Sequence, residues 1–111
     1  MSDPGRRAER LTLYMPGEAH RHHAAPGYVE VIRKAHELGL AGATAWRGSQ
    51  GFGPSSRLER AVVHHPPVAV TIVDQPDRLT RLLEKLGAVL EGAVVVRRPV
   101  EIVTGRADGP G

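Results

Sequence analysis

The chain has 111 residues, of which 41% are hydrophobic and 24% charged, and it contains no cysteine. That length fits one domain of the usual ~100–150 residues, and the missing thiols exclude disulfides, thiolate zinc sites and cysteine nucleophiles. The net charge is +3, but the arginines are interleaved with acids and only 4% of residues are aromatic, so we expect no nucleic-acid partner.

The two ends of the chain differ from its middle in composition. Residues 1–9 and 105–111 are polar and contain glycine and proline, which predicts disordered tails around a domain over 10–104. The opening segment MSDPGRRAER lacks the apolar stretch of a signal peptide, and no apolar run approaches the ~20 residues of a membrane span. We therefore expect a soluble cytoplasmic protein.

The first half of the domain carries a strand, a helix and a second strand. Apolar residues alternate over 10–15, which predicts a half-buried strand, and a polar loop, EAHRHHAA, follows. Pro26 suits the first turn of a helix whose apolar face continues to Leu38, with Gly39 as a left-handed stop. The alternation of Thr44 and Trp46 predicts a short strand over 43–48.

A segment rich in glycine and serine, GSQGFGPSS, follows that strand. Its composition predicts a long, mobile excursion without regular structure over 48–56. A strand is expected over 57–63, an interruption at His64–His65–Pro66–Pro67, and an apolar strand over 68–73.

The last part of the domain pairs a helix with a strand. Asp74 is a capping candidate and Pro76 suits the first turn, after which leucines at helical spacing form an apolar stripe. Gly87 could end this helix early, but Gly92 is the expected stop. A final strand is predicted over 93–103, with Pro99 requiring a bulge or an edge position.

The order of these elements is βαββαβ, that of the ferredoxin-like fold. It predicts an α+β domain with an antiparallel sheet and both helices on one sheet face. Because the strands carry apolar residues for both faces and two helices cover only one, we expect self-association through the open face.

One segment resembles a known family. GLAGATAWRGSQGFGPSS, residues 39–56, resembles the second strand and the start of the T-loop in PII signal-transduction proteins. More closely, 10–104 resembles the PII-like family called domain of unknown function 190, through Leu13-Tyr14, VAVTIVD and the EG before the last strand. This implies a homotrimer with inward-facing sheets, adenine-nucleotide clefts between protomers, and a T-loop that grips a membrane transporter, an enzyme or a regulator.

The chain departs from the PII pattern where PII proteins hold phosphates. The segment before the last strand, LGAVLEGAVVV, has no lysine, and Glu101 and Val103 precede Thr104-Gly105 where PII proteins place arginines. Because of these departures we expect the adenine nucleotide that the resemblance implies to be AMP, ADP or a cyclic nucleotide rather than ATP.

The ligand-binding candidates lie in the loop and at the end of the domain. Gly51 and Gly53 offer backbone N–H groups to an anion, and Arg47 at the base of the loop offers a rigid guanidinium fork. The full candidate set is Arg47, Gly48, Gln50, Gly51, Gly53, Thr104 and Arg106. Arg97 and Arg98 are weaker substitutes for the missing phosphate contacts.

Three other functions are weighed. An enzyme is not expected, because Ser49, Ser55 and Ser56 have no histidine and acid at a recognised spacing. A metal site is not expected either, because the histidines at 20, 22, 23, 64 and 65 lack fixed carboxylate partners, although a metal-responsive trimer remains an alternative. The remaining alternative is an interaction module that docks on a transporter or enzyme without a small ligand.

Overall fold

A four-stranded sheet and two α-helices form the body of the computed structural model, which describes residues 6–15, 21–22, 25–47, 51–52, 58–59 and 67–105. The sheet strands are β1 (Arg6–Met15), β2 (Thr44–Arg47), β3 (Val68–Asp74) and β4 (Val94–Ile102). The helices are α1 (Gly27–Glu37) and α2 (Pro76–Leu86), and a 3-10 turn at Gly87–Leu90 follows α2.

The strands lie in the order β2-β3-β1-β4, and every neighbouring pair is antiparallel. Each helix connects two strands that are not neighbours, with β3 between β1 and β2, and β1 between β3 and β4. This arrangement confirms the predicted ferredoxin-like α+β fold.

The hydrophobic core lies between the helices and one face of the sheet. Alternate residues of β1 and β3 are buried there, and Leu13 has no exposed surface. Each such leucine or isoleucine stabilises the fold by roughly 1.5–3 kcal/mol relative to an exposed position. The side chains that form this core are Leu11, Leu13, Met15, Val31, Ala35, Leu40, Val68, Val70, Ile72, Leu79, Leu82 and Leu86.

Glycines end both helices. Gly39 has φ 73°, its N–H donates to the His36 carbonyl at 3.1 Å, and the Leu40 N–H donates to the Ala35 carbonyl at 3.1 Å. This pair of bonds is the Schellman motif, and it confirms the predicted left-handed stop. The expected stop of α2 at Gly92 is wrong, because Gly87 with φ 51° already turns the backbone out of the α-helix.

The ends of the strands differ from the prediction in one place and agree with it in another. β1 begins at Arg6, and 6–9 pair with 99–102 of β4, so the expected disordered tail is wrong for 6–9. Residues 1–5 and 106–111 lie outside the described residues. Pro99 pairs with Glu9 in an unbroken register on the edge strand β4, so of the two predicted alternatives the edge position applies.

Two short antiparallel ladders lie in segments that were predicted to be loops. Gly51–Phe52 pairs with Leu58–Glu59, which corrects the expectation that 48–56 holds no regular structure. Arg21–His22 in the predicted polar loop pairs with Ala25–Pro26, so Pro26 precedes α1 and does not lie in its first turn as expected. Only 58–59 of the strand expected over 57–63 falls within the described residues.

Candidate ligand site and open sheet face

Arg47 is the last residue of β2 and begins the loop that carries most of the predicted site. Its Nη2 donates to Oη of Tyr28 at 2.8 Å, and its Cζ lies 5.5 Å from the centre of the Tyr28 ring. Tyr28 lies at the start of α1 and packs against the core, so it fixes the direction of an otherwise exposed arginine. The remaining N–H donors of this guanidinium suit a phosphate or carboxylate.

Tyr28, the partner of Arg47, is not among the residues that the sequence analysis selects for the site. The helical spacing of Tyr28, Val31 and Ala35 places the Tyr28 ring on the apolar face of α1, but that pattern carries no information about its hydroxyl. One general rule could have identified this contact: a tyrosine on a core face needs a hydrogen-bond partner for its hydroxyl. Arg47 meets that need.

Arg47 and Thr104 lie at opposite corners of the sheet. Arg47 is on edge strand β2 and pairs with Val68, which in turn pairs with Met15 at the end of β1. Thr104 follows edge strand β4, whose last residue pairs with Arg6 at the start of β1. Within one protomer, these two predicted site residues are therefore not brought together.

The other predicted site residues have less structural description. Gly51 lies in the short ladder, and Thr104 lies in an exposed bend after β4. Gly48, Gln50, Gly53 and Arg106 lie outside the described residues.

Arg97 forms its hydrogen bonds within its own protomer. Its Nε donates to Glu9 Oε1 at 2.7 Å, its Nη1 to Thr80 Oγ1 at 2.8 Å, and its Nη2 to the Pro76 carbonyl at 2.8 Å. These contacts join β4, β1 and the N-terminal half of α2. Because its donors are engaged inside the protomer, Arg97 is a poor substitute for a phosphate contact.

Asp74 is fully buried and joins two connections of the fold. Its Oδ2 accepts from the Ala41 N–H at 2.9 Å, and its Oδ1 accepts from the Gln75 N–H at 2.7 Å. The same Oδ1 lies 3.1 Å from Nε of Arg78, whose Nη2 donates to the Gly39 carbonyl at 2.5 Å. The predicted capping role is corrected: Gln75 is the N-cap, and Asp74 instead holds the α1–β2 connection that leads to Arg47.

The sheet face away from the helices is apolar at one end. Tyr14 pairs with both Val94 and Ala69, and Ala69 pairs with Trp46, so these four share a face. Tyr14 is 52% exposed, Trp46 62% and Val94 43%. Large apolar side chains exposed side by side mark an interaction surface. We call this face of β1–β4 the open sheet face.

The histidine alternative falls mostly outside the described residues, since only the backbone of His22 is described. Within the described parts of the chain, no group of three or more His, Cys, Asp or Glu could hold a metal ion. No helix in those parts is long and apolar enough to cross a membrane.

The chain matches a protein-family model and curated protein sequences. The family model DUF190, described as "Uncharacterized ACR", matches residues 8–102. A protein of Aquifex aeolicus (strain VF5) named "UPF0166 protein" is 25% identical over 99 residues, which cover 86% of this chain and 93% of that protein.

Solved structures give the same fold. CPII, described as a nitrogen regulatory PII-like protein from Thiomonas intermedia K12 and bound to ADP, AMP and bicarbonate, matches with TM-score 0.70 and 15% identity over 89% of this chain and 91% of CPII. A Thermus thermophilus protein described as a PII-like signaling protein matches with TM-score 0.67 and 14% identity over 91% of this chain and 94% of its own. These matches confirm the predicted PII-like fold.

Proposed function

The chain belongs to the DUF190 family, and from this premise we propose that it is a cytoplasmic, homotrimeric PII-like regulatory protein rather than an enzyme. It binds a small anionic metabolite, an adenine nucleotide, in the clefts between protomers. The loop over 48–57 signals the bound state to a target protein, such as a membrane transporter or an enzyme.

The observation that carries this proposal is the separation of Arg47 from Thr104. They lie at opposite edges and opposite ends of the same sheet. If both contact one ligand, they must come from different copies of the chain. The exposed apolar residues on the open sheet face supply the contact that assembles such copies.

Arg47 links the cleft to the loop. Its guanidinium is held on Tyr28 and leaves donors free for an anion, and the loop begins at the next residue. A ligand phosphate that competes with the Tyr28 hydroxyl for this guanidinium shifts the end of β2. The loop then changes its arrangement with ligand occupancy, and the target protein responds to that change.

The choice of nucleotide follows from the scarcity of phosphate contacts. The turn before β4, 87–93, contains no lysine or arginine, and Glu91 within it is exposed. Arg97 is engaged with Glu9 and α2. AMP, ADP or a cyclic nucleotide, held mainly by base and ribose, fits these residues better than ATP. CPII, which shares the fold, was crystallised with ADP and AMP.

A thermal-shift screen with AMP, ADP, cyclic AMP, ATP and divalent metals tests the proposal, because a ligand of the native state raises its stability. We expect adenine nucleotides to raise the melting temperature and Arg47→Gln to weaken AMP binding by about 10- to 100-fold, the loss of one charge-assisted contact of about 1.5–3 kcal/mol. Arg33→Gln is the matched control, since Arg33 is an exposed α1 arginine paired with Glu30.

Other outcomes of the screen would contradict the proposal. Stabilisation by metals alone would favour the metal-responsive trimer. No response to any of these ligands would favour the interaction module. Equal AMP affinity in Arg47→Gln and the natural chain would remove Arg47 from the site.

A further inference from the structure

Two arginines lie directly opposite each other on the open sheet face. Arg10 of β1 pairs with Arg98 of β4, and both point away from the helices, as Thr12 and Tyr14 do. Arg10 is half-buried and Arg98 is exposed. Directly opposed residues have Cβ atoms ~4.5–5.5 Å apart, at which like charges repel.

No carboxylate in the four strands can neutralise this pair on its own face. Glu9, Asp74 and Glu101 are the acidic residues of β1–β4. The register pairs Glu9 with Asp74 and Glu101 with Arg7, which assigns all three to the helix-covered side by strand alternation. The side chains of Arg10 and Arg98 form no hydrogen bond or ion pair with another described residue.

Hydroxyl groups lie beside the arginines. Thr12 is the next residue of β1 on the open sheet face after Arg10. It pairs with Thr71 of β3, which pairs with Thr44 of β2, so a row of threonines crosses the sheet. Guanidinium and hydroxyl donors side by side form a chemical environment suited to an oxyanion.

Assembly through the open sheet face makes the repulsion worse. A cyclic trimer brings the same face of three copies together, so each copy adds the Arg10–Arg98 pair, and the strands add no carboxylate. Covering a charge without a partner costs several kcal/mol. Copies that meet through Tyr14 and Val94 therefore need an anion close to Arg10 and Arg98 to neutralise these charges.

We propose that the open sheet face binds a phosphate-class oxyanion between copies of the chain, held by Arg10, Arg98 and the Thr12 hydroxyl, and that this anion stabilises the trimer. The inference rests on the trimer of the proposed function. Within one protomer the site is separate from Arg47, because Arg47 lies on the helix-facing side of β2 toward the other end of the sheet.

Sedimentation velocity over a dilution series tests this, with inorganic phosphate against sodium chloride at equal ionic strength. We expect phosphate to lower the concentration at which the natural chain dissociates by at least tenfold. Arg98→Gln should lose that response and, because the repulsion is gone, assemble in chloride at least as tightly as the natural chain. Arg81→Gln, an exposed α2 arginine, should keep the natural response.

Further measurements assign the source of the anion and confirm folding. Phosphorus NMR should show broadening of the inorganic phosphate signal by the natural chain and not by Arg98→Gln. An arm with AMP replacing phosphate distinguishes a free oxyanion from a nucleotide phosphate. Since Arg98 is exposed, circular dichroism of Arg98→Gln should match the natural chain.

Two results would overturn the inference while leaving the proposed function intact. One is a trimer equally tight in both buffers and weakened by Arg98→Gln in both, which would mean that carboxylates of another copy pair with the arginines. The other is a trimer indifferent to both phosphate and the substitution, which would mean solvated arginines. A chain monomeric in every buffer would overturn the proposed function as well.

Discussion

Asp74 shows how one buried side chain positions a site it does not touch. Its carboxylate accepts from two backbone N–H groups and pairs with Arg78, and it has no exposed surface. Asp74→Asn turns an acceptor into a partial donor facing donors and removes the charge opposite Arg78. We expect a loss of about 3 kcal/mol in the free energy of unfolding, measured by urea denaturation at fixed protein concentration.

Asp77→Asn is the control for that substitution. Asp77 is an exposed acid in the first turn of α2, where its charge adds about 0.3–1 kcal/mol through the helix dipole. Equal losses for the two variants would contradict the role assigned to Asp74.

At the residue scale, the sequence could identify arginines as phosphate candidates but not rank them. Arg47 and Arg97 both lie in predicted strands, and each follows an apolar residue in the chain. Only the packing of α2 on β1 and β4 shows that Arg97 is engaged with Glu9 and Thr80, while Arg47 keeps donors facing solvent. Contacts between residues 88 positions apart cannot be seen in a local pattern.

At the element scale, Gly39 ends α1 through its left-handed backbone. Gly39→Ala adds a Cβ at φ 73°, and we expect a loss of about 1 kcal/mol. Gly42→Ala, three residues later, is the control, because its Cβ would meet nothing within 4 Å and its φ is not positive. That variant should be neutral or more stable by up to about 1 kcal/mol.

Urea denaturation of the two glycine variants measures the difference. Unchanged stability in Gly39→Ala would mean that the Schellman bonds of Gly39 and Leu40 tolerate a side chain. A large loss in Gly42→Ala would point to strain that the φ angles do not reveal.

The long elements were predictable because their apolar periodicity is strong. β3 alternates buried and half-buried residues along its whole length, and the leucines of α2 all face the core. The two-residue strands Gly51–Phe52 and Leu58–Glu59 have no such period, since a pattern cannot repeat within two residues. The end of α2 was missed because a single glycine inside an apolar stripe does not by itself show its φ sign.

At the scale of the whole molecule, the two sheet faces should respond differently to a charge. Val94 is 43% exposed on the open sheet face, so Val94→Asp leaves the protomer folded and puts a charge in the proposed trimer contact. Leu13 has no exposed surface under the helices, so Leu13→Asp should cost several kcal/mol and unfold the protomer.

Light scattering and circular dichroism separate the two effects. We expect Val94→Asp to be a folded monomer at micromolar concentration and Leu13→Asp to lose its helical signal. A trimer that survives Val94→Asp unchanged would mean that the copies do not meet through the open sheet face.

The preference among nucleotides depends on how many positively charged groups the assembled protein offers to the phosphates. Glu91 stands in the turn before β4, Glu101 is exposed near its end, and Arg97 is engaged inside the protomer, so the described residues offer few contacts to additional phosphates. Each charge-assisted contact that is missing removes roughly 1.5–3 kcal/mol of binding. We therefore expect AMP, ADP or a cyclic nucleotide to bind as tightly as ATP or more tightly in calorimetry.

Arg97→Lys should leave the nucleotide affinities unchanged. An ATP affinity at least a hundredfold above that of AMP would show that arginines such as Arg47 or Arg98 rebuild the triphosphate contacts.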